Sequence, residues 1–205
     1  MPIQRSAMLK LLTLLPILAI LAGCFGSAPA VPKEQYFRLI ASAPAAQASR
    51  QIAGGLEVLP FAGEGVMNER PLLFTADGGR KLEQRNYAYW TEAPPQMLRD
   101  QLVAYLRQAG VADSVSPSEL RLETAYTVRG TIKRLEQLVG SSPGAAIALE
   151  IAVLEKNSDR LILSKVYTAE KPAAGSKIDD AVDALNAGLD EIFAAFAADL
   201  AAANI

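Results

Sequence analysis

Histidine is absent from this chain of 205 residues, and cysteine occurs once, as Cys24. Without histidine, neither a Ser-His-Asp triad nor a Cys-His pair can form, and zinc lacks its usual nitrogen ligands. A single cysteine also excludes a disulfide within the chain. The carboxylates are scattered, without the spacing of a metal or acid-base site. The sequence therefore predicts a protein that is not an enzyme and that uses no metal and no cofactor.

A strong excess of either charge is also missing, because 20 basic residues stand against 22 acidic ones. The formal net charge is −2, and it becomes −4 when the first 23 residues, with Arg5 and Lys10 as their only charged side chains, are left out. Nucleic-acid partners normally require a basic stripe or patch. The weak acidic excess therefore argues against a nucleic-acid partner.

No hydrophobic run is long enough for a comfortable membrane span. The apolar run from Leu11 to Leu21 has about half of the roughly 20 residues that a helix needs to cross a bilayer. Its basic flank, Arg5 and Lys10, is typical of a signal peptide. The run ends in a segment that resembles the lipobox of bacterial lipoproteins: Leu21, Ala22, Gly23 and Cys24.

The lipobox resemblance implies cleavage before Cys24 and attachment of acyl chains to its thiol; the alternative is an ordinary buried thiol. Each buried methylene contributes about 0.8 kcal/mol, so several acyl chains anchor a protein stably. Phe25 stands where an aspartate would favour inner-membrane retention, which implies the periplasmic face of the outer membrane. We accordingly interpret residues 1–23 as a signal peptide, 24–35 as a lipidated tether and 36–205 as a single periplasmic domain.

Alternating apolar residues and turn signals predict a series of strands. The glycines after Asp77 predict a β-hairpin between residues 72–75 and 83–89. Leu120 and Leu122 are expected to face inward at the start of a long strand that runs to Lys133. The predicted strands are 36–40, 56–61, 72–75, 83–89, 120–133, 144–156 and 161–169, of which the last three form a meander. In the middle strand of this meander, the residues expected to face inward are Ile147, Leu149, Ile151 and Val153.

Two segments show a helical period. The first starts at Pro95 and ends before Gly110, a typical helix terminator. The second follows Ser176 and Asp179, a helix-start signature. Its outer face is acidic, which favours packing on the core over binding to an anionic membrane. Its apolar stripe consists of Ile178, Val182, Leu185, Leu189, Ile192, Phe193, Phe196 and Leu200.

The order of these elements, together with the motifs between residues 56 and 108, resembles the ABC-type transport auxiliary lipoproteins, a PqiC-like family. The opening strand at Tyr36 fits the family pattern, as does the strand that ends near Pro60. An Arg-Pro pair follows ten residues later. The other matching motifs are Arg70 with Pro71, the strand from Asn86 to Trp90 before Pro94, and the helix from Met97 to Gln108.

This resemblance implies a three-layer α/β sandwich with a mixed, largely antiparallel sheet and packing helices, like that of anticodon-binding domains. It also implies an accessory role in lipid transport between the inner and outer membranes. The implied partners are an MCE-domain protein and an inner-membrane ABC permease and ATPase. Assembly with copies of itself is left open.

Three residues are candidates for partner binding: Arg70, Pro71 and Trp90. Arginine can hold a carboxylate or phosphate through two hydrogen bonds, and aromatic residues dominate interfaces. Local pairing of Arg70 is an equally good interpretation. Tyr87 and Tyr89 share one strand face and Trp90 lies on the other, and we expect the tyrosines to be the core residues.

Two other functions remain open on the sequence alone. A structural lipoprotein that braces another envelope complex would have the same anchor, and its gene neighbourhood would lack permease, ATPase and MCE genes. An envelope hydrolase with a Ser-Lys or carboxylate pair would lose activity on replacement of one buried residue.

Overall fold

The computed structural model describes residues 31–49, 51–76 and 79–203. The predicted signal peptide, the lipobox and Cys24 lie outside the described residues. The chain divides into two units, Met1–Lys33 and Glu34–Ile205. The fold below is that of the second unit.

Nine strands form one mixed sheet within the described residues. Their main order is β1-β5-β4-β7-β2-β6, with β3 beside β7 and with β8 between β7 and β9. The strands are β1 (Gln35–Phe37), β2 (Leu56–Val58), β3 (Ala62–Gly63), β4 (Pro71–Thr75), β5 (Leu82–Trp90), β6 (Val115–Pro117), β7 (Tyr126–Leu138), β8 (Gly144–Glu155) and β9 (Leu161–Pro172).

The long strand β7 organises the sheet, because both of its edges are paired. Along one edge, the short strands β2, β3 and β4 follow one another, all parallel to β7. Along the other edge, β8 runs antiparallel over 12 residue pairs. Strand β9 continues the predicted meander with 11 antiparallel pairs to β8. Most of the paired residues are therefore antiparallel, as predicted.

Two helices pack on this sheet within the described residues, α1 (Pro94–Ala109) and α2 (Ile178–Ala202). The predicted end of α1 is confirmed, since Gly110 adopts the left-handed conformation with φ 64°. The start of α2 differs by one residue from the Ser176-Asp179 signature. There the Asp180 carboxylate accepts a hydrogen bond from the backbone N–H of Lys177.

The helices share one core with the sheet. The apolar residues at helical spacing are buried in α1 and, apart from the partly buried Ile178, also in α2. The helices meet where the ring centres of Tyr105 and Phe193 lie 5.6 Å apart. Helix α2 also covers the meander, whose inward residues Ile147 and Leu149 are buried as predicted. A mixed α/β fold is thus confirmed, whereas the three-layer sandwich of anticodon-binding domains stays a prediction.

The strand predicted from residue 120 begins only at Tyr126. Leu120 and Leu122, which were expected to face inward, are 56% and 49% exposed. A 3-10 turn covers Ser118–Leu120, and Arg121 follows it with φ 50°. Because a left-handed residue interrupts the pleat, the alternation cannot continue through this point.

Two further boundaries differ from the prediction. The first strand ends at Phe37 instead of residue 40, because its partner β5 ends at Trp90, opposite Phe37. Beyond the strand, the backbone N–H of Ile40 donates to the Asn186 side chain on α2. The predicted strand over 56–61 stops at Val58. The hairpin at residues 72–89 is confirmed by the antiparallel pairing of β4 with β5, although residues 77 and 78 are outside the described part.

Candidate partner-binding surface

Arg70 and Trp90 are held together where β4 begins and β5 ends. The Trp90 backbone N–H donates to the Arg70 carbonyl oxygen at 2.7 Å. In return, the Arg70 Nε donates to the Trp90 carbonyl oxygen at 3.0 Å. Pro71 starts β4 and pairs with Tyr89 across the hairpin. The local pairing that the sequence left open for Arg70 is therefore present.

The guanidinium of Arg70 also lies over the exposed ring of Tyr36. Its Cζ lies 5.5 Å from the centre of the Tyr36 ring, a cation-π distance. Strand β1 places Tyr36 directly beside Tyr89 on β5, with 5.9 Å between the ring centres. We call Tyr36, Arg70 and Tyr89 the tyrosine-arginine surface.

Charge around this surface is mixed. The Tyr36 hydroxyl donates to the Glu34 carboxylate, and this hydrogen bond is the main reason why the pKa of Tyr36 is raised. The terminal nitrogens of Arg70 make no hydrogen bond to another described residue. They are therefore free to bind a carboxylate or phosphate, for which the planar guanidinium is well suited.

Tyr87 stands next to this surface in an unusual backbone conformation. Its φ is 62°, and its side chain is 38% exposed. Such a left-handed conformation costs a non-glycine residue roughly 1–2 kcal/mol. It occurs in an irregular stretch of β5, where the pairing advances from Gln84 to Tyr89 while β4 advances only from Leu73 to Pro71. Irregularities of this kind often redirect a side chain near a functional site.

The prediction about which side of β5 faces the core is wrong. Trp90 is 1% exposed, so its indole packs in the core and is not available at the surface. Tyr87 is exposed and Tyr89 is half-buried, contrary to the expected core position of both. The alternation itself was correct, since Ala88 and Trp90 are both buried. A small alanine next to the tryptophan on the same face was the signal that could have identified the covered side.

Metal binding requires several donor side chains at one place. Across the described ranges, no three Asp, Glu, Cys or His side chains are grouped so that they could hold a metal ion. Nor does the described part of the chain include a helix that is long and apolar enough to cross a membrane.

Comparison with known proteins places these features in a family. The family model for the ABC-type transport auxiliary lipoprotein component matches residues 37–197. No curated protein matches the sequence.

Solved structures support the fold. Protein XCC0632 from Xanthomonas campestris superposes with a TM-score of 0.73 at 16% identity, covering 82% of this chain and 95% of its own. A crystal structure of an uncharacterized protein gives a TM-score of 0.64 at 17% identity, covering 82% of this chain and 99% of its own. The family match spans most of the chain, including Arg70 and Trp90, and the chain therefore belongs to the ABC-type transport auxiliary lipoprotein component family.

Proposed function

We propose that this protein is an accessory lipoprotein of an ABC/MCE-type system that moves lipid or another hydrophobic substrate between the inner and outer membranes. Acyl chains on Cys24 hold it at the periplasmic face of the outer membrane, with residues 24–35 as the tether. Its partners are an MCE-domain protein and, through it, the inner-membrane ABC permease and ATPase. The family match over residues 37–197 is the observation that carries this proposal.

The tyrosine-arginine surface is the proposed docking site for the MCE-domain protein. Arg70 is pre-positioned by its bond to the Trp90 carbonyl and by the Tyr36 ring, so little side-chain freedom is lost on binding. Its free terminal nitrogens suit a carboxylate on the partner. Pro71 fixes the strand entry beside it, and the buried Trp90 contributes by supporting Arg70 from the core.

Photo-crosslinking in the native envelope tests this proposal. A photoreactive phenylalanine analogue replaces Tyr36 or Tyr87, both exposed, and the captured proteins are identified by mass spectrometry. We expect capture of an MCE-domain protein. The matched control places the same analogue at Val166, an exposed position on β9, where capture should be weak.

The possible outcomes test the transport role and the docking surface separately. Capture of outer-membrane assembly or peptidoglycan proteins alone, from every position, would contradict the transport role. Equal capture of the MCE-domain protein from Val166 would contradict the docking surface and leave the transport role in place.

A further inference from the structure

An open groove of about 440 Å³ lies between the C-terminal half of α2 and the loop segment at residues 44–49. This volume falls within the roughly 300–1,000 Å³ that is usual for small-molecule sites. None of the described residues that line it carries a charge. Helix α2 contributes only alanines to the lining, namely Ala194, Ala197, Ala198, Ala201 and Ala202.

The loop wall of the groove is held in place at both ends. Before the groove, the backbone N–H of Ser42 donates to the Asp190 carboxylate on α2 at 2.6 Å. Near the other end of the lining segment, the backbone N–H of Ala48 donates to the Ala109 carbonyl at the end of α1 at 2.7 Å. The groove is therefore preformed, as ligand sites usually are.

Tyr105 of α1 lines the groove with an unsatisfied polar group. Its side chain is only 6% exposed, and its ring packs on Phe193. The Tyr105 hydroxyl makes no hydrogen bond to any other described residue. Unlike the enclosed hydroxyls of Ser116 and Thr124, which have no partner in the described chain, the Tyr105 hydroxyl is accessible from the groove. It therefore takes its hydrogen-bond partner from whatever occupies the groove, water or a ligand.

Charge near this hydroxyl narrows the ligand class. Burial, and then the negative charge of Asp190, raise the pKa of Tyr105. The hydroxyl thus stays protonated and can donate a hydrogen bond. The same carboxylate repels an anionic ligand head, so a free fatty acid fits poorly. A neutral acceptor such as an ester carbonyl fits, with an apolar chain along the alanines.

We infer that this groove binds one acyl chain of an ester-linked lipid, with the Tyr105 hydroxyl donating to the ester carbonyl oxygen. A helix from a partner protein would fill the alanine face, but its backbone carbonyls are already engaged in their own hydrogen bonds. Such a helix could accept from Tyr105 only through a side chain placed opposite the hydroxyl, whereas every ester-linked acyl chain carries a carbonyl acceptor. Docking to an MCE-domain protein needs no lipid in the groove, so this inference goes beyond the proposed function and stands independently of it.

The test uses the full-length lipoprotein in phosphatidylethanolamine vesicles. These vesicles contain a trace of phosphatidylethanolamine with a diazirine on one acyl chain, and a parallel sample contains a diazirine fatty acid. After irradiation, labelled peptides are located by mass spectrometry. We expect the phospholipid label on the peptides that contain residues 44–49 and 194–202, and weaker labelling there by the fatty acid.

Two variants and one control variant make the test specific. Ala198→Trp fills the groove from an exposed helix position and should abolish this labelling, whereas Ala195→Trp, exposed on the same helix but outside the lining, should not. Tyr105→Phe removes only the hydroxyl and should weaken labelling between about twofold and tenfold, the range of one hydrogen bond. Thermal unfolding checks that each variant is folded.

Three results would overturn the inference: wild-type labelling in folded Ala198→Trp, labels confined to other surfaces, or stronger labelling by the fatty acid than by the phospholipid. Unchanged labelling in Tyr105→Phe would overturn the role of the hydroxyl. None of these results bears on capture of the MCE-domain protein, so the two proposals can fail separately.

Discussion

Arg70 and Trp90 exchange two hydrogen bonds, one through the backbone of each residue and one from the arginine side chain to the tryptophan carbonyl. One side chain of the pair lies at the surface of the domain and the other lies in its core. The indole is among the largest fully buried side chains of the described core, while the guanidinium lies over the exposed Tyr36 ring. Core packing at Trp90 therefore determines where the surface charge of Arg70 is presented.

This relationship predicts separate effects on binding and stability. Arg70→Lys keeps the charge but loses the planar fork and its Nε donor, so capture of the partner should fall. The free energy of unfolding should fall by no more than about 1.5 kcal/mol, the usual value of one hydrogen bond. Trp90→Ala should lower it by about 3–5 kcal/mol because it leaves a cavity. Urea unfolding measures the stability of each variant, and crosslinking measures partner capture. A large loss of stability in Arg70→Lys would contradict the separation of a binding role for Arg70 from a packing role for Trp90.

Tyr87 has a strained left-handed backbone and lies next to the tyrosine-arginine surface, so a glycine at this position should relieve the strain and weaken partner binding. Tyr87→Gly removes the conformational penalty but adds freedom to the unfolded chain at about 0.5–1 kcal/mol. The free energy of unfolding should therefore change by less than about 1 kcal/mol, or rise slightly. Crosslinking of the partner to a photoreactive residue at position 36 should fall, because the exposed Tyr87 side chain beside the surface is lost. If Tyr87→Gly destabilised the domain strongly, the ring would have to be a packing residue.

Gly130, in the middle of β7, leaves room for the ring of Phe61, so a larger residue at this position should destabilise the domain. A Cβ at position 130 would overlap the Phe61 ring, which is itself buried. Gly130→Ala should lower the free energy of unfolding by about 1–3 kcal/mol through overpacking.

The matched double variant tests the cause of that loss. In a Phe61→Leu background, the ring is gone and Gly130→Ala should cost clearly less, so the two changes should be non-additive. Strict additivity would show that the alanine acts on the strand and not through the ring.

Asp199 predicts a loss of stability in acid. Its carboxylate accepts hydrogen bonds from Lys165 Nζ at 2.7 Å and from the Tyr167 hydroxyl at 2.8 Å, and so ties β9 to α2. The bond from Lys165, followed by that from Tyr167, lowers the pKa of Asp199 below its ordinary value of 3.8. A carboxylate with a lowered folded pKa stabilises the fold above the ordinary value, and this contribution is lost as pH falls through the folded pKa.

Thermal unfolding between pH 7 and pH 2 measures this contribution. Asp199→Asn should be less stable than the wild type at neutral pH, and the difference should shrink below about pH 4, where the carboxyl group of the unfolded chain takes up a proton before that of the folded protein. Asp183→Asn, an exposed position on the same helix, serves as the control. A difference that stayed constant over the whole range would rule out the charge of Asp199 as the cause.

The proposed anchor predicts the behaviour of Cys24→Ser. Without the thiol no acyl chain can be attached, and the burial of about 0.8 kcal/mol per methylene is lost. The protein should then stall during processing or appear in the soluble periplasm. Fractionation and radioactive palmitate labelling are the measurements. Unchanged palmitate labelling in the variant would exclude Cys24 as the lipid site.

The sequence by itself determined those parts of the fold whose signals are local. The helix predicted from Pro95 to the residue before Gly110 lies within one residue of the observed start, and the inward residues of β8 were also identified, since a period of 3.6 or 2 indicates both the element and its apolar side. The absence of histidine likewise limits the possible chemistry, because a side chain that the chain lacks cannot be supplied by any fold.

Only the tertiary structure decided which side of a strand became core and where strands stopped. Tyr87 and Trp90 alternate in any strand, but the sheet's neighbours determine which of them is covered. The positive φ values at Tyr87 and Arg121 arise from pairing and turns that alternation cannot reveal. The groove beside Tyr105 is also tertiary, because residues 44–49 reach it through hydrogen bonds to helices that lie far away in the sequence.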